Sequence, residues 1–286
     1  MVGDAVLAGF VTTLAFGVAA IVLFHRWAAD KVGPARARWA LAAFLLYPCS
    51  FYLFGAVYAD ALFLAALLAP FLLVERDHPW LAGLAAAVAT GTRPVGLAVA
   101  AGVWARAVER RGGWRNLGRR DAGLLLAPAG VVAYAAWLWA RFGTPLAFMH
   151  AEQGWHQAPG WRTWMKVEWF RGMWRWVTRW GVLDPKGLHL LGHALVTVVA
   201  LALLPRVFRR FGRAYGLYTA AVVAGCALST ANFVGMGRYV MAAFPLFALA
   251  GDLLSSRPGL RVALLGASGT ALVAFTHLHA RNLLIS

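Results

Sequence analysis

The sequence predicts an all-α, polytopic integral membrane protein with about ten transmembrane helices. Of the 286 residues, 61% are hydrophobic and 13% are charged, whereas a soluble domain is about half apolar and about a quarter charged. Mean hydropathy is +0.66. A transmembrane helix needs roughly 20 apolar residues, so we expect residues 1–286 to form one multi-span membrane domain without a separate soluble domain.

The 27 basic residues outnumber the 11 acidic residues and give a net charge of +16. Most of them lie in links between apolar runs, which is typical of Lys and Arg flanking membrane spans. The motifs of nucleic-acid-binding proteins do not occur, so we expect no nucleic-acid partner. Cys49 and Cys226 lie within apolar runs, where we expect buried free thiols and neither a disulfide framework nor a zinc site.

Apolar runs and their interruptions predict the helices of the first half of the chain. Residues 5–25 form the first span, because neither a basic segment nor a small-residue cleavage site marks a signal peptide. Residues 39–74 are too long for one span and divide into two at a short turn. Residues 80–107 divide at Arg93, because a following proline disfavours helical geometry and arginine is costly in mid-membrane. These two short helices form either two crossings or a re-entrant hairpin.

The second half alternates apolar runs with one long aromatic segment. A span at 122–140 leads into the aromatic segment 141–186. Four further spans follow this segment, and a break at 232–238 separates the second of them from the third. Those four spans are 187–204, 215–230, 239–254 and 262–279.

Basic residues cluster in four of the links between spans. These links are 26–38, 106–120, 205–213 and 257–261. Threading the spans in order brings all four to one side, which the positive-inside rule makes cytoplasmic. The turns near 49–59, at Arg93 and at 231–238 then lie outside, together with the loop 141–186 and both termini. That loop is also basic, but long loops follow the rule poorly. Ala is abundant and Arg greatly outnumbers Lys, which suggests a GC-rich bacterial genome, so we expect this membrane to be a bacterial plasma membrane.

The outward-facing loop 141–186 is predicted to lie on the membrane surface. It contains seven of the 14 tryptophans, interleaved with Arg and Lys, which is typical of an interfacial helix on lipid headgroups. Stacking of a sugar or lipid against these rings is the alternative, and in either case we expect membrane lipids as partners. His150, Glu152 and Gln153 begin this loop, but their spacing matches no metal-site motif, so we expect no metal and no cofactor.

Three charged residues of the outer side lie in apolar surroundings. Asp60 begins an apolar helix, where the helix dipole stabilises an acid, but an ionisable group at membrane depth is costly unless it has a function. Arg93 and Arg238 carry guanidinium groups suited to phosphate oxygens. The three residues predict either a phosphate-binding pocket in the outer leaflet or an ion pair that holds the helices together, and their chemistry leaves both open.

Four segments resemble, in the same order, motifs of the PIG-V-like mannosyltransferases. Residues 46–63 resemble the family's P-x-S-F-F segment and the Y-[ST]-E-S-L-F that follows it. Residues 80–97 resemble its G-x-x-x-x-x-A-x-x-T-R-P-x-G, and residues 142–155 resemble the G-D-P-L-A-F of bacterial members. Residues 237–247 resemble a late P-R-Y followed by F-P-L-F. The resemblance covers nearly the whole chain and implies the GT-C class of membrane glycosyltransferases.

This resemblance implies transfer of a sugar, usually mannose, from a polyprenyl-phosphate donor to a hydroxyl acceptor on the outer face. Such a reaction needs a carboxylate to accept the hydroxyl proton and cations to stabilise the leaving phosphate. Asp60 aligns with the family's second acid, a Glu. The candidate catalytic residues are Asp60 and Glu152. The candidate substrate-binding residues are Arg93, Arg238, Tyr58, Tyr239, His150 and Gln153.

The sequence departs from the family in one respect. Family members carry an earlier span and an outer loop with a W-D-x-x-W-Y-like motif, whose Asp is the expected base, and this sequence has no such motif. We therefore expect either a shortened chain that is inactive alone or a degenerate relative. Two other function classes stay open: a transporter or lipid flippase built on broken helices, and a non-catalytic membrane scaffold. The sequence predicts no particular oligomeric state, sugar or acceptor.

Overall fold

The computed structural model describes residues 2–151, 164–181, 185–230 and 232–281. Their backbone is helical apart from short turns, and it contains no β-strand. The 3-10 helices are Ser50–Leu53, Trp114–Asn116 and Arg119–Leu126. The α-helices are, in chain order, α1 (Val2–Val32), α2 (Pro34–Leu45), α3 (Asp60–Glu75), α4 (Pro79–Thr92), α5 (Gly96–Arg110), α6 (Ala129–Phe142), α7 (Ala147–Ala151), α8 (Met165–Trp180), α9 (Pro185–Phe211), α10 (Arg213–Ser229), α11 (Met236–Val240), α12 (Pro245–Ser256) and α13 (Pro258–Ala280).

Four helices of the described chain are long and apolar enough to cross a membrane. They are Asp4–Val32 of α1, Arg119–Phe142, in which the 3-10 helix Arg119–Leu126 leads into α6, His189–Phe211 of α9, and α13, Pro258–Ala280. The all-helical prediction is confirmed for the described residues. The length and apolar composition of these four helices indicate a membrane protein. Other helices are shorter: α4 and α5 have 14 and 15 residues, or about 21–23 Å, against a hydrocarbon core of about 30 Å. Helix lengths therefore support four complete spans in this part of the chain, and the ten predicted helices stay a prediction.

Helix α3 defines the two ends of the helical bundle. It begins at Asp60 and ends at Glu75, which lie about 22 Å apart at about 1.5 Å per residue. We call these the Asp60 end and the Glu75 end. Helix α4 runs from the Glu75 end to Arg93 at the Asp60 end, and α5 returns to Arg110 at the Glu75 end.

The four basic links meet at the Glu75 end, as threading the spans predicts. Lys31 of the first link and Arg110 of the second form ion pairs with Glu75, at 2.6 and 3.1 Å. The third and fourth links join the first through further contacts. These are Arg210 to Asp252 at 2.7 Å, Arg36 to Asp252 at 3.3 Å, and Arg261 over the Trp39 ring at 4.0 Å.

An aromatic cluster fills the bundle towards the Glu75 end. The indole N–H of Trp27 donates a hydrogen bond to the Tyr215 hydroxyl at 2.8 Å. Phe244 meets the Trp27 ring edge-on at 4.5 Å, and Phe71 lies 5.3 Å from the Tyr215 ring. Packing drives helix association in lipid, and each such ring pair contributes about 0.5–1.5 kcal/mol beyond its contact area. The cluster therefore joins α1, α3, α10 and the segment before α12.

Helix α9 is longer than the sequence predicts. The predicted span 187–204 and most of the basic link 205–213 form one helix that continues through Pro205 to Phe211. The chain turns only at Gly212, whose φ of 94° suits glycine. An apolar run ends where charges begin, whereas a helix continues through charged residues until its backbone geometry changes. The same reason extends the first helix beyond the predicted 5–25 to Val32.

The predicted span 239–254 is not one helix. It comprises the end of the five-residue α11 and most of α12, which are separated by a turn at residues 241–244. Pro245 occupies the first helical position of α12, where its missing N–H costs no hydrogen bond. The apolar composition of this run concealed the turn, because a buried turn and a buried helix have the same hydropathy.

The aromatic loop 141–186 contains the amphipathic helix α8. Lys166 is buried and donates a hydrogen bond to the carbonyl of Thr230, at the Asp60 end of α10. Trp174 and Trp180 are 69% and 57% exposed. A helix of the kind predicted therefore occurs in this loop, and its position on lipid headgroups stays a prediction.

Labelling of single cysteines tests the predicted topology. Arg115→Cys and Arg175→Cys both replace exposed arginines, and each is introduced after Cys49→Ala and Cys226→Ala. A membrane-impermeant thiol reagent is expected to reach position 115 only from the cytoplasm and position 175 only from outside. Labelling of both positions from the same side would contradict the threading.

Candidate functional site

Three interruptions of the helices meet at the Asp60 end. The segment between α2 and α3 leads to Asp60 in the first turn of α3. Helix α4 ends because Arg93, which precedes a proline, is extended, with φ −149° and ψ 146°. Gly235, with a left-handed φ of 80°, precedes α11, which carries Arg238. Each break therefore supplies one charged residue to the same place.

Asp60 lies between the two arginines. Its Oδ2 accepts a hydrogen bond from Arg93 Nη2 at 2.6 Å, and its Oδ1 lies 3.8 Å from Arg238 Nε. The first contact is a short charge-assisted hydrogen bond, whereas the second is an ion pair too long for a hydrogen bond. Arg238 Nε has no hydrogen-bond acceptor among the described residues. Asp60 is 4% exposed, so the carboxylate depends on these cations for its charge to be tolerated.

Three tyrosine rings surround the Arg238 guanidinium. Its carbon lies 5.2 Å from the centre of the Tyr52 ring, 5.3 Å from Tyr239 and 5.8 Å from Tyr58. Cation–π contacts of this kind contribute about 0.5–2 kcal/mol. Tyr58 is 43% exposed, so this side of the cluster reaches the protein surface.

The two guanidinium groups keep hydrogen-bond donors that Asp60 does not occupy. A guanidinium has five N–H donors, and Asp60 accepts one hydrogen bond from Arg93 and none from Arg238. The side chains of Arg93 and Arg238 are 16% and 12% exposed. The cluster therefore has the composition of an anion site: the Asp60 carboxylate and two guanidinium groups with N–H donors that Asp60 leaves unoccupied.

The residue before Arg238 is held by side chains from two other segments. The Gly237 N–H donates to Nδ1 of His193 at 2.8 Å, and its carbonyl accepts from the Tyr47 hydroxyl at 2.8 Å. A Cβ at this position would lie 2.9 Å from the His193 ring and 3.0 Å from Cys49 Sγ, which is too close. Glycine is therefore required for the contact between α11 and α9.

A second charged cluster lies at the Glu75 end. Glu75 Oε1 lies 2.6 Å from Lys31 Nζ and 2.7 Å from Arg106 Nε, and its Oε2 lies 3.1 Å from Arg110 Nη1. The Tyr215 hydroxyl donates to Oε1 at 2.9 Å. Burial acts to raise the pKa of Glu75, but the hydrogen bonds from Arg106 and Lys31 outweigh burial and lower this pKa to about 2. Glu75 lies beyond the apolar part of α3, and its partners come from α1, α5 and α10, so the cluster joins four helices.

The structure brings together five residues that the sequence singles out, Asp60, Arg93, Arg238, Tyr58 and Tyr239. Glu152 and Gln153 lie outside the described residues, and His150 is described only by its backbone position in α7. No group of three or more His, Cys, Asp or Glu side chains that could hold a metal occurs in the described part of the chain.

Sequence reasoning missed three contacts of this site, those of Tyr52, Tyr47 and His193. The i,i+4 spacing of His189 and His193 in an apolar run was the available signal for the last of these, because polar residues so spaced share one helix face.

The chain matches no protein-family model, no curated protein and no solved structure. The resemblance of the four short motifs to a family therefore stays a prediction, and the chemistry of the Asp60 end is the basis for inferring a function.

Proposed function

We propose that the chain is an integral protein of the bacterial plasma membrane that uses a polyprenyl-phosphate sugar, such as polyprenyl-phosphate mannose, as a glycosyl donor on the outer face. The observation that carries this proposal is the position of Asp60 between two arginines, 2.6 Å from Arg93 and 3.8 Å from Arg238. A phosphate diester in a membrane needs positive hydrogen-bond donors at lipid depth, and arginine supplies them in the most suitable geometry.

The charge distribution supports the outward orientation of this site. The basic links gather at the Glu75 end, which the positive-inside rule assigns to the cytoplasm. The Asp60 end then faces outside. Two short helices, α4 and α5, meet at Arg93, and broken helices whose ends meet at membrane depth are typical of substrate sites in membrane proteins.

The proposed reaction is an inverting sugar transfer. The acceptor oxygen attacks the anomeric carbon, the carbon–oxygen bond to the phosphate breaks, and polyprenyl phosphate leaves with the bonding electrons. Arg93 and Arg238 stabilise the negative charge on the leaving phosphate. Asp60, kept ionised by its cations, accepts the proton of the acceptor hydroxyl. Binding of the donor phosphate to Arg93 would also release Asp60 from its ion pair for this role.

A second candidate function is binding of the lipid-linked sugar without transfer. The burial of Asp60, which is 4% exposed, and its short contact with Arg93 favour this alternative, because a base must reach the acceptor proton. A scaffold that holds a polyprenyl-phosphate sugar for another enzyme needs the two arginines and no base.

Substitution of each arginine tests the proposal. Arg93→Ala and Arg238→Ala are each expected to weaken binding of labelled polyprenyl-phosphate mannose about tenfold to a hundredfold, because a charge-assisted hydrogen bond contributes about 1.5–3 kcal/mol. Purified protein in detergent serves for binding, and membranes containing the chain serve for transfer. The matched control is Arg206→Ala, which removes an exposed arginine of α9.

The outcomes of this experiment separate the candidates. Transfer of the labelled sugar that depends on both arginines supports the glycosyltransferase. Binding that depends on both arginines without any transfer supports the scaffold. Binding that neither substitution changes relative to Arg206→Ala would contradict both.

A further inference from the structure

The five-residue helix α11 closes one turn through the Tyr239 N–H and the Gly235 carbonyl at 2.9 Å, but the N–H of Gly237 has its acceptor on another helix. Gly237 is its second residue, and the first N–H groups of any helix have no acceptor within that helix. A helix this short is also unstable in isolation. The acceptor that Gly237 N–H uses is the ring nitrogen of His193, 44 residues away on α9. The position of the next residue, Arg238, is therefore set from outside α11.

We propose that His193 is a positioning residue, which fixes Arg238 beside Asp60 by holding the N–H of Gly237. The functional meaning of this contact rests on the proposed phosphate-binding role of Arg238. Arg238 Nε makes no hydrogen bond with Asp60, from which it lies 3.8 Å, so the ion pair alone does not determine the direction of the guanidinium. The His193 contact on the Gly237 N–H, together with the Tyr47 hydroxyl on the Gly237 carbonyl, fixes the backbone from which the Arg238 side chain extends between its tyrosine rings.

His189 completes the arrangement by contacting the second ring nitrogen of His193. Because Nδ1 of His193 accepts the hydrogen bond from Gly237, its proton lies on Nε2. That Nε2 is 2.8 Å from Nε2 of His189, so His189 is the acceptor and carries its own proton on Nδ1. The ring of Phe275, 6.0 Å away, covers His189 from α13. Both imidazoles are therefore neutral in this arrangement: His193 accepts from Gly237 and donates to His189, and His189 accepts from His193.

Hydrogen exchange at the Gly237 amide tests the contact directly. His193→Phe keeps an aromatic ring and removes the acceptor, so the Gly237 amide is expected to exchange at least about tenfold faster. His193→Asn carries a side-chain oxygen near the position of Nδ1 and is expected to retain protection. His277→Phe, at an exposed histidine of α13, is the matched control. Exchange of amides at the Glu75 end shows whether each variant keeps its fold.

Binding of labelled polyprenyl-phosphate mannose gives the second measurement. His193→Phe is expected to weaken binding about tenfold, and His193→Asn to restore most of it. Unchanged Gly237 exchange in His193→Phe would overturn the proposal, and so would faster exchange with unchanged binding. If the unsubstituted protein binds no donor while Gly237 exchange responds as expected, the anchoring role of His193 stands and the proposed function fails.

Discussion

Replacing Asp60 with Asn is expected to lower the free energy of unfolding by about 3 kcal/mol, because it leaves two largely buried guanidinium groups without their counter-ion. The substitution keeps the shape of the side chain and removes its charge. Arg93 loses its 2.6 Å partner and Arg238 loses the carboxylate at 3.8 Å. Thermal or denaturant unfolding of the purified protein in detergent measures this loss, and sugar transfer, if the chain carries it out, is expected to disappear as well.

Two further variants make the Asp60 result specific. Asp252→Asn is the matched control, because the partners of Asp252, Arg36 and Arg210, have side chains that are 52% and 38% exposed, and exposed pairs contribute about 0–1 kcal/mol. Adding Arg93→Met to Asp60→Asn is expected to recover part of the stability, since it removes one uncompensated buried charge. If Asp60→Asn and Asp252→Asn lower the free energy of unfolding by the same small amount, Asp60 is a helix-terminal residue that does not stabilise the cluster.

Replacing Glu75 with Gln is expected to cost about 3 kcal/mol of stability, near the lower end for a buried ion pair that loses one partner. Glu75 accepts hydrogen bonds from Lys31, Arg106 and Arg110 and from the Tyr215 hydroxyl. A glutamine has one acceptor oxygen and turns its amide donors towards the cations. Because the four partners lie on three other helices, the loss should separate α1, α5 and α10 from α3 and not affect the Asp60 end.

The stability that Glu75 contributes should also depend on pH. The pKa of Glu75 is lowered to about 2 in the folded protein, where the hydrogen bonds from Arg106 and Lys31 outweigh the opposing effect of burial; it is about 4.3 in an unfolded chain. The contribution is therefore complete above about pH 4.3 and is lost as the pH falls towards 2. Unfolding measured from pH 7 to pH 3 should show this loss in the unsubstituted protein and not in Glu75→Gln.

Glu168→Gln is the control for both measurements at Glu75. Glu168 pairs with Arg171 on the surface of α8, with side chains 54% and 65% exposed, and such pairs contribute little. A Glu75→Gln variant as stable as Glu168→Gln across this pH range would show that the Glu75 cluster does not join the helices.

The breaks in the helices differ in how well the sequence predicts them. The end of α4 at Arg93 is predictable, because a proline follows an arginine within an apolar run and both residues oppose a continuous membrane helix. The turn at 241–244 between α11 and α12 is not, because its residues are as apolar as those of the helices around it. The end of α9 at Phe211 is not predictable either, because the helix continues through charged residues up to the turn at Gly212.

The sequence by itself determined the all-helical, membrane-spanning class of the protein and the grouping of its basic links on one side. It also singled out Asp60, Arg93 and Arg238, because charged residues in apolar segments are costly unless they pair or have a function. These follow from composition and from the order of apolar runs, which act along the chain. Only the tertiary structure decided that Asp60 bonds Arg93 directly and Arg238 only at a distance, and that His193 anchors Gly237. These pairs are 33 and 44 residues apart for Asp60–Arg93 and His193–Gly237. Contacts at such separations depend on how helices pack side by side, and packing is specified by many side chains together and by no local pattern.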